Sequence, residues 1–294
     1  MALAEQPDRQ GYEREWVIDG LKIAGLHWKG QGCRPVLALH GWLDHAGSFS
    51  ALAPLLKHAD VVALDLPGHG MSDHRSADAT YALWDDIPQI LGVLDQLGWR
   101  EVTLLGHSRG AMISLLIASL RPDRVQRVIA MDALMPAPVP EAHFVEQMRR
   151  SLDDTAKAKR KRQSFFASPE QFIQRRLSRG HATEIGLRLV ERAIFAEGDG
   201  YRVRADPRLH AASNVKLSAG QIDAIFQAQK APVLALWAED GLGKTEWSLA
   251  HRRRIAELAA RYREVTLPGH HHWHLDDVAA PLLADEINAF LNEA

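Results

Sequence analysis

The chain has 294 residues, 46% of them hydrophobic and 24% charged, as in an ordinary folded globular protein. Its net charge of −2 argues against nucleic-acid binding, and no apolar run approaches the roughly 18 residues that span a membrane. Cys33 is the only cysteine, so no intramolecular disulfide can form, and residues 1–10 lack the pattern of a secretory signal. We therefore predict a cytoplasmic protein with one large domain that carries an insertion.

Apolar segments and helical patterns alternate along most of the chain. The first two segments, 12–18 and 21–28, flank Asp19-Gly20, which predicts a β-hairpin. Later strands are predicted at 36–39, 61–64, 102–105, 125–131, 233–237 and 264–267. Helices are predicted at 49–56, 83–97, 111–120, 247–260 and 278–291. This alternation predicts an α/β fold with a mostly parallel sheet covered by helices on both faces.

The alternation stops between Met135 and about Lys230, where the Pro-rich connector 136–140 is followed by charged and aromatic helical patterns. We expect residues 136–230 to form a helical cap inserted into a core made of residues 1–135 and 231–294. Such an insertion would lie over the carboxyl ends of the strands, where ligands bind. Its basic cluster suggests an anionic partner or substrate, although a solvated helix face is the more usual explanation. The members of this cluster are Arg149, Arg150, Lys157, Lys159, Arg160, Lys161 and Arg162.

Residues 106–110 read Gly-His-Ser-Arg-Gly and lie between a predicted strand and a predicted helix. In this context G-x-S-x-G indicates a nucleophile elbow, a sharp turn that lifts the Ser108 hydroxyl clear of the sheet. The turn strains the serine backbone, and close packing around it requires small residues at Gly106 and Gly110. Because Ser108 also precedes a helix, free N–H groups and the helix dipole favour an oxyanion beside it.

Two backbone N–H groups are predicted to form an oxyanion hole. One belongs to Arg109, directly after the serine, and the other to Trp42, which follows a strand and His40-Gly41. We expect the Arg109 side chain to pack beside the elbow or to pair with an acid, the alternative being attraction of a substrate carboxylate. In the turn-rich segment 65–70, Asp65 is predicted to hydrogen-bond loop backbone groups.

Residues 269–275 read Gly-His-His-His-Trp-His-Leu and follow the last predicted strand. In the chain order serine, acid, histidine, the general base comes from this position, and we assign the role to His272. Four histidines within five positions also suggest a metal site. Their spacing matches neither an H-E-x-x-H helix nor a Cys/His zinc pattern, and we predict that the protein needs no metal and no cofactor.

These motifs together resemble the α/β-hydrolase superfamily and, within it, the serine hydrolase-like proteins. The resemblance covers nearly the whole chain except the cap, and the matching blocks are 40–49, 65–70, 106–110 and 269–275. In the superfamily the base commonly closes a G-x-G-H block. Residues 269–272 align with that block, and the resemblance therefore also implies His272 as the base.

The resemblance leaves two candidates for the acid. A frequent superfamily form is W-G-x-x-D, but four residues after Trp237 this chain has Gly241, and Asp240 comes one residue early. A shift of one residue in a tight loop moves a carboxylate by several ångströms. In some members, such as certain haloalkane dehalogenases, the acid lies at the end of the preceding strand, where this chain has Asp132. We therefore prefer Asp132 and keep Asp240 as the alternative.

The predicted activity is that of a serine hydrolase that cleaves carboxylic esters through a Ser-His-Asp triad and an acyl-enzyme. Esters are preferred on superfamily frequency alone, and thioesters, lactones, amides and activated carbon–carbon bonds remain open. A different class, a non-catalytic relative that binds a small ligand, also remains open. The expected partner is a small ester-like molecule, not nucleic acid, and the sequence indicates no particular oligomeric state.

Overall fold

The computed structural model describes residues 11–30, 34–177 and 189–293, so the predictions for residues 1–10 and Cys33 lie outside the described residues. The strands are β1 (Tyr12–Ile18), β2 (Leu21–Trp28), β3 (Arg34–Leu39), β4 (Ala59–Leu64), β5 (Val102–His107), β6 (Val125–Met131), β7 (Phe165–Phe166), β8 (Ile194–Glu197), β9 (Gly200–Val203), β10 (Val233–Asp240) and β11 (Tyr262–His270). The helices are α1 (Ile87–Gln96), α2 (Arg109–Leu120), α3 (Phe144–Arg160), α4 (Pro169–Leu177), α5 (Ala219–Gln227), α6 (Glu246–Leu258) and α7 (Ala280–Asn292).

Within the described residues, eight strands form the central sheet in the order β1-β2-β4-β3-β5-β6-β10-β11. The first two strands form the predicted antiparallel hairpin, and β2 also pairs antiparallel with β4. From β4 to β11 all neighbouring strands are parallel. The prediction of a mostly parallel α/β sheet is confirmed. Parallel pairing brings the carboxyl ends of β3, β5, β6, β10 and β11 to one edge of the sheet.

Each face of the sheet carries its own apolar core. On β3, Leu37 and Leu39 join the core that includes residues of α1, α2, α5 and α6. Val36 and Ala38 join the opposite core, which includes residues of α7 and of the segment 46–56. All four side chains are fully buried, which is why this strand appears in the sequence as a continuous apolar run. No helix among the described residues is both long and apolar enough to cross a lipid bilayer.

The predicted helix at 49–56 is wrong. The segment instead forms two short 3₁₀ turns, Ala46–Phe49 and Ala53–Leu55. Pro54 lies in the second turn, and a proline inside a helix removes a backbone donor and collides with the preceding turn. The apolar spacing of this segment correctly indicates that its side chains are buried, but it does not indicate the conformation of the backbone.

The cap contains both helices and strands, which corrects the prediction of a helical cap. Beside α3 and α4 the described residues contain a three-stranded antiparallel sheet in the order β7-β9-β8. The turn between β8 and β9 is Gly198-Asp199, with Gly198 at φ 60°. This pair is a hairpin signal in the sequence, but the scattered aromatic residues around it were interpreted as helical.

The segment after β6 meets the segment before α5, where the Val139 N–H donates to the Leu217 carbonyl oxygen at 2.9 Å. Helix α5, inside the predicted cap range, buries Ile222 and Phe226 in the core of the sheet. The domain limits of 136 and 230 stay a prediction.

Candidate active site

Ser108 lies in the turn between β5 and α2 with a strained backbone, at φ 50° and ψ −113°. A Cβ atom added at Gly110 would lie 1.9 Å from the Leu39 carbonyl oxygen, and one added at Gly106 would lie 2.4 Å from the Ala111 nitrogen. Both distances are far inside van der Waals contact, so only glycine fits on either side of the serine. The elbow geometry predicted from the motif is present.

The side chain that reaches Ser108 is that of His271. Its Nε2 lies 3.1 Å from the Ser108 Oγ, and its Nδ1 lies 2.6 Å from the Asp132 Oδ2. Because a carboxylate only accepts hydrogen bonds, Nδ1 carries the proton and donates it to Asp132, which leaves Nε2 as the acceptor facing the serine hydroxyl. The three side chains have the connectivity of a Ser-His-Asp triad.

The choice of His272 for this position is wrong. Its ring turns toward the loop after β3, where its Nε2 lies 3.5 Å from the Asp44 Oδ2. Residues 271 and 272 form a turn after β11, and this turn brings the ring of His271, and not that of His272, to Ser108. The rings of His271 and His272 lie 4.9 Å apart, but no group of three or more His, Cys, Asp or Glu among the described residues is arranged to hold a metal ion.

The carboxylate of Asp132 is fixed by the backbone as well as by His271. Its Oδ1 accepts the Ala238 N–H at 3.2 Å, and its Oδ2 accepts the Leu242 N–H at 2.9 Å. A Cβ atom at Gly241 would lie 2.2 Å from the Asp132 Oδ2. The Asp132 carboxylate therefore fills the space where the side chain of a W-G-x-x-D acid would stand, which explains the glycine at that position.

Asp240, the alternative acid, lies on the surface. Its side chain is 80% exposed and lies 3.3 Å from the Lys244 Nζ, whereas the Asp132 side chain is fully buried. The geometry favours Asp132.

The loop that carries Trp42 is held in place by His40. The His40 Nδ1–H donates to the Gly41 carbonyl oxygen at 2.7 Å, and the His40 Nε2 accepts the Leu66 N–H at 2.9 Å. Both ring nitrogens are satisfied by a neutral imidazole, and burial lowers the pKa of His40 accordingly. The sequence interpretation missed this role, although a histidine at the end of a buried strand was a visible signal.

This loop packs directly against the start of α2. A Cβ atom at Gly110 would lie 2.9 Å from the His40 carbonyl oxygen, so the glycine allows the two backbones to meet. Trp42 follows His40 by two residues, and Arg109 is the first residue of α2, where the N–H groups have no partner inside the helix. Both predicted oxyanion donors therefore belong to segments that converge beside Ser108.

The Arg109 side chain pairs with an acid, as predicted. Its Nη1 lies 2.6 Å from the Asp86 Oδ2, and both side chains are at least 90% buried. Its Nη2 also donates to the Tyr81 carbonyl oxygen at 3.2 Å. These contacts satisfy the guanidinium inside the protein, so the structure gives no support to the alternative that it attracts a substrate carboxylate.

His107, the variable residue of G-x-S-x-G, positions the histidine segment. Its Nε2–H donates to the His271 carbonyl oxygen at 2.8 Å, and its ring centroid lies 4.0 Å from that of His274. Burial, followed by the charges of the neighbouring histidines, holds the pKa of His107 well below its ordinary value. A neutral ring with one fixed donor thus supports the backbone of His271, a role that the sequence interpretation missed.

Asp44 was also missed, although it lies in the 40–49 block. Burial by itself raises the pKa of the Asp44 carboxyl. The hydrogen bond and charge of His272, with the charge of Arg176, outweigh this effect and hold the pKa well below its usual range. Arg176 contacts the Asp44 Oδ1 at 2.7 Å. Asp44 therefore links the segment after β11 to α4 of the cap.

Asp65 has the structural role predicted for it. Its carboxylate accepts the N–H groups of Ala46 and Met71, each at 2.7 Å, and lies 2.8 Å from the Nε of Arg192 in the cap. This buried ion pair fastens the cap to the core near the candidate site.

Residues 34–277 match a family model described as alpha/beta hydrolase fold. The chain belongs to the α/β-hydrolase family. A probable serine hydrolase of Drosophila melanogaster is 31% identical over 280 residues, which cover 91% of this chain and 83% of that protein. A serine hydrolase-like protein of Danio rerio is 28% identical over 269 residues, which cover 88% of this chain and 82% of that protein.

Solved structures with the same fold superpose closely on this chain. A hypothetical protein of Pseudomonas aeruginosa superposes with a TM-score of 0.89 at 33% sequence identity, over 96% of this chain and 99% of that one. The predicted fold class and the resemblance to serine hydrolase-like proteins are confirmed. The family model and the relatives together support hydrolase activity for this member of the α/β-hydrolase superfamily.

Proposed function

We propose that this α/β-hydrolase is a serine hydrolase that cleaves carboxylic esters through an acyl-enzyme. The observation that carries the proposal is the chain of contacts from Ser108 through His271 to Asp132, at 3.1 Å and 2.6 Å. Serine as the nucleophile favours acyl transfer, in which a covalent ester of Ser108 forms and is then hydrolysed.

In the first step the His271 Nε2 takes the Ser108 proton while Oγ attacks the carbonyl carbon. The carbonyl π electrons move to oxygen, and the backbone N–H groups of Trp42 and Arg109 stabilise the resulting oxyanion. Asp132 stabilises the imidazolium and keeps the ring in the required tautomer. When the intermediate collapses, the leaving alcohol takes the proton from Nε2. A water molecule then attacks the acyl carbon while the His271 Nε2 accepts its proton. As this second intermediate collapses, the bond between the acyl carbon and the Ser108 Oγ breaks, Nε2 returns the proton to Oγ, and the carboxylic acid leaves.

The proposal is tested with a fluorophosphonate probe, which labels activated serines, and with p-nitrophenyl acetate. Ser108→Ala should lose both labelling and hydrolysis. Ser119→Ala is a matched control because Ser119 lies in α2, the helix that follows the elbow, and its hydroxyl donates to the Leu116 carbonyl oxygen at 2.8 Å. Undiminished labelling and hydrolysis in Ser108→Ala would refute the assignment.

The same probe separates the two classes of function. A wild-type protein that is neither labelled nor active on any ester would favour a ligand-binding relative, which needs no activated serine. Thioester, lactone and ester substrates of equal acyl length would then rank the chemistry of an active enzyme. A cytoplasmic location stays a prediction, to be checked by cell fractionation.

A further inference from the structure

A pocket opens between the cap and the core beside the candidate active site. Leu43 and Asp44, from the loop after β3, form part of its wall, and Phe166 and Phe172 of the cap form another part. Ser108 itself does not line it, so this pocket adjoins the site of bond cleavage and does not contain it.

One chain connection and two contacts link the pocket to the candidate active site. Leu43 follows Trp42, whose N–H is a proposed oxyanion donor. The ring of Trp42 packs edge-on against His210, a residue of the pocket wall, with centroids 5.1 Å apart. Asp44, also in the wall, lies 3.5 Å from the Nε2 of His272, next to the proposed base. The pocket wall therefore shares its segments with the candidate active site.

The charge of the pocket is positive. Among the described lining residues, Lys161, Arg162, Arg175 and Arg176 are cationic, and Asp44 is the acidic residue. Asp44 is already engaged by Arg176 at 2.7 Å. Within the described part of the chain, Lys161 and Arg162 form no ion pair with a carboxylate. Such a surplus of one sign in a cleft with apolar walls raises the local concentration of ligands of opposite charge.

Two other members of the predicted basic cluster differ from Lys161 and Arg162 in this respect. Arg150 and Lys157 lie on α3 with highly exposed side chains, and both approach Asp154, at 3.7 Å and 3.8 Å. They do not line this pocket. All seven members of the cluster are exposed, as the usual explanation has it, and Lys161 and Arg162 are the two that also line the pocket.

The pocket also has an apolar wall. Phe166 and Phe172 pack edge-on against each other with centroids 5.7 Å apart, and Val203 and Ala193 belong to the same lining. Arg175 lies over the Phe166 ring at 5.7 Å and Arg176 over the Phe172 ring at 5.8 Å. This wall therefore places apolar rings directly beside positive charge, which suits a ligand with an apolar stem and an anionic end.

We propose that the pocket binds an anionic group at the far end of the substrate, so that the preferred substrates are esters whose apolar chain ends in a carboxylate, phosphate or sulfate. The inference rests on the proposed function, since it places the scissile ester at Ser108. Lys161 and Arg162 attract the anionic end, and the two phenylalanines cover the chain that joins it to the ester.

The test compares two esters of equal chain length, mono-p-nitrophenyl adipate, which ends in a carboxylate, and p-nitrophenyl hexanoate, which ends in a methyl group. The measured quantity is kcat/KM for the adipate ester divided by kcat/KM for the hexanoate ester. The double variant Lys161→Gln/Arg162→Gln should lower this ratio about tenfold, as expected for the loss of charged contacts. The matched variant Arg150→Gln/Lys157→Gln removes the same charge outside the pocket and should keep the wild-type ratio. Equal ratios in the pocket variant and the wild type would overturn the proposal.

A binding measurement keeps this inference separate from the proposed function. The Ser108→Ala protein is titrated calorimetrically with adipate, hexyl phosphate and hexyl sulfate, and with hexanol as the uncharged reference. Binding of at least one anion that weakens about tenfold when Lys161→Gln/Arg162→Gln is added supports the pocket even if no ester is hydrolysed, and the three anions identify the preferred group. Absence of anion binding overturns the pocket, whatever the outcome of the esterase assay.

Discussion

Alanine substitutions at two adjacent histidines provide the sharpest test of the site. His271→Ala removes the contact with Ser108 at 3.1 Å and the contact with Asp132 at 2.6 Å. His272→Ala removes neither contact. It removes the approach to the Asp44 carboxylate at 3.5 Å and the contacts of this ring with those of His107, His271 and His274.

The expected effects differ by orders of magnitude. Loss of a triad histidine lowers kcat by about 10⁴–10⁶-fold, which corresponds to about 5.5–8 kcal/mol of transition-state stabilisation. In His272→Ala the buried Asp44 carboxylate loses the His272 contact but keeps Arg176 at 2.7 Å, so the cost falls on the loop that carries Asp44, and both triad contacts remain. We therefore expect kcat to fall less than about tenfold in His272→Ala.

The assay is hydrolysis of p-nitrophenyl acetate, with kcat and KM measured separately and folding checked by circular dichroism. His270→Ala serves as the control from the same segment, since the ring of His270 accepts the backbone N–H of His272 at 3.1 Å and belongs to neither triad contact. A loss of kcat in His272→Ala as large as that in His271→Ala would refute the reasoning. So would a His271→Ala enzyme with nearly full activity.

Three further predictions concern other parts of the site. Asp132→Asn should lower kcat about 10⁴-fold, whereas Asp240→Asn, on the surface, should change it less than about twofold. Asp86→Ala leaves the buried Arg109 guanidinium without its carboxylate and should cost about 4 kcal/mol, seen by calorimetry as a fall in Tm of about 6 °C. Burial, followed by the charges of neighbouring histidines, holds the pKa of His274 well below its usual value. The unfolded chain therefore binds more protons below about pH 6.5, so acid destabilises the protein. His274→Phe should reduce the slope of unfolding free energy against pH between 6.5 and 5 by up to about 1.4 kcal/mol per pH unit, and an unchanged slope in urea titrations would contradict this.

The strands and the elbow could be predicted from local patterns, because each depends on the residues of one short segment. Continuous apolar runs were enough to predict the parallel strands. Gly106 and Gly110 indicated the elbow, because no side chain larger than that of glycine fits on either side of Ser108. Local patterns failed at residues 49–56, where apolar spacing concealed the effect of Pro54, and at Gly198-Asp199, where a hairpin signal was overlooked.

Which histidine and which carboxylate meet Ser108 depended on tertiary structure. Four histidines within five residues are chemically equivalent in the sequence. The direction of each ring follows from how the chain turns after β11, and His271 is the residue that this turn brings to the serine. Asp132 is 139 positions away from His271 in the chain, and its place beside that ring follows from the pairing of β6 with β10.

The sequence by itself thus determined the fold class, the nucleophile elbow and the kind of chemistry to expect, since these depend on residue type and short spacing. The tertiary structure alone decided the pairing of His271 with Asp132 and which members of the basic cluster line the pocket. The physical reason is that hydrogen bonds and ion pairs act over a few ångströms in space, and the number of residues between two groups in the sequence does not give their distance in space.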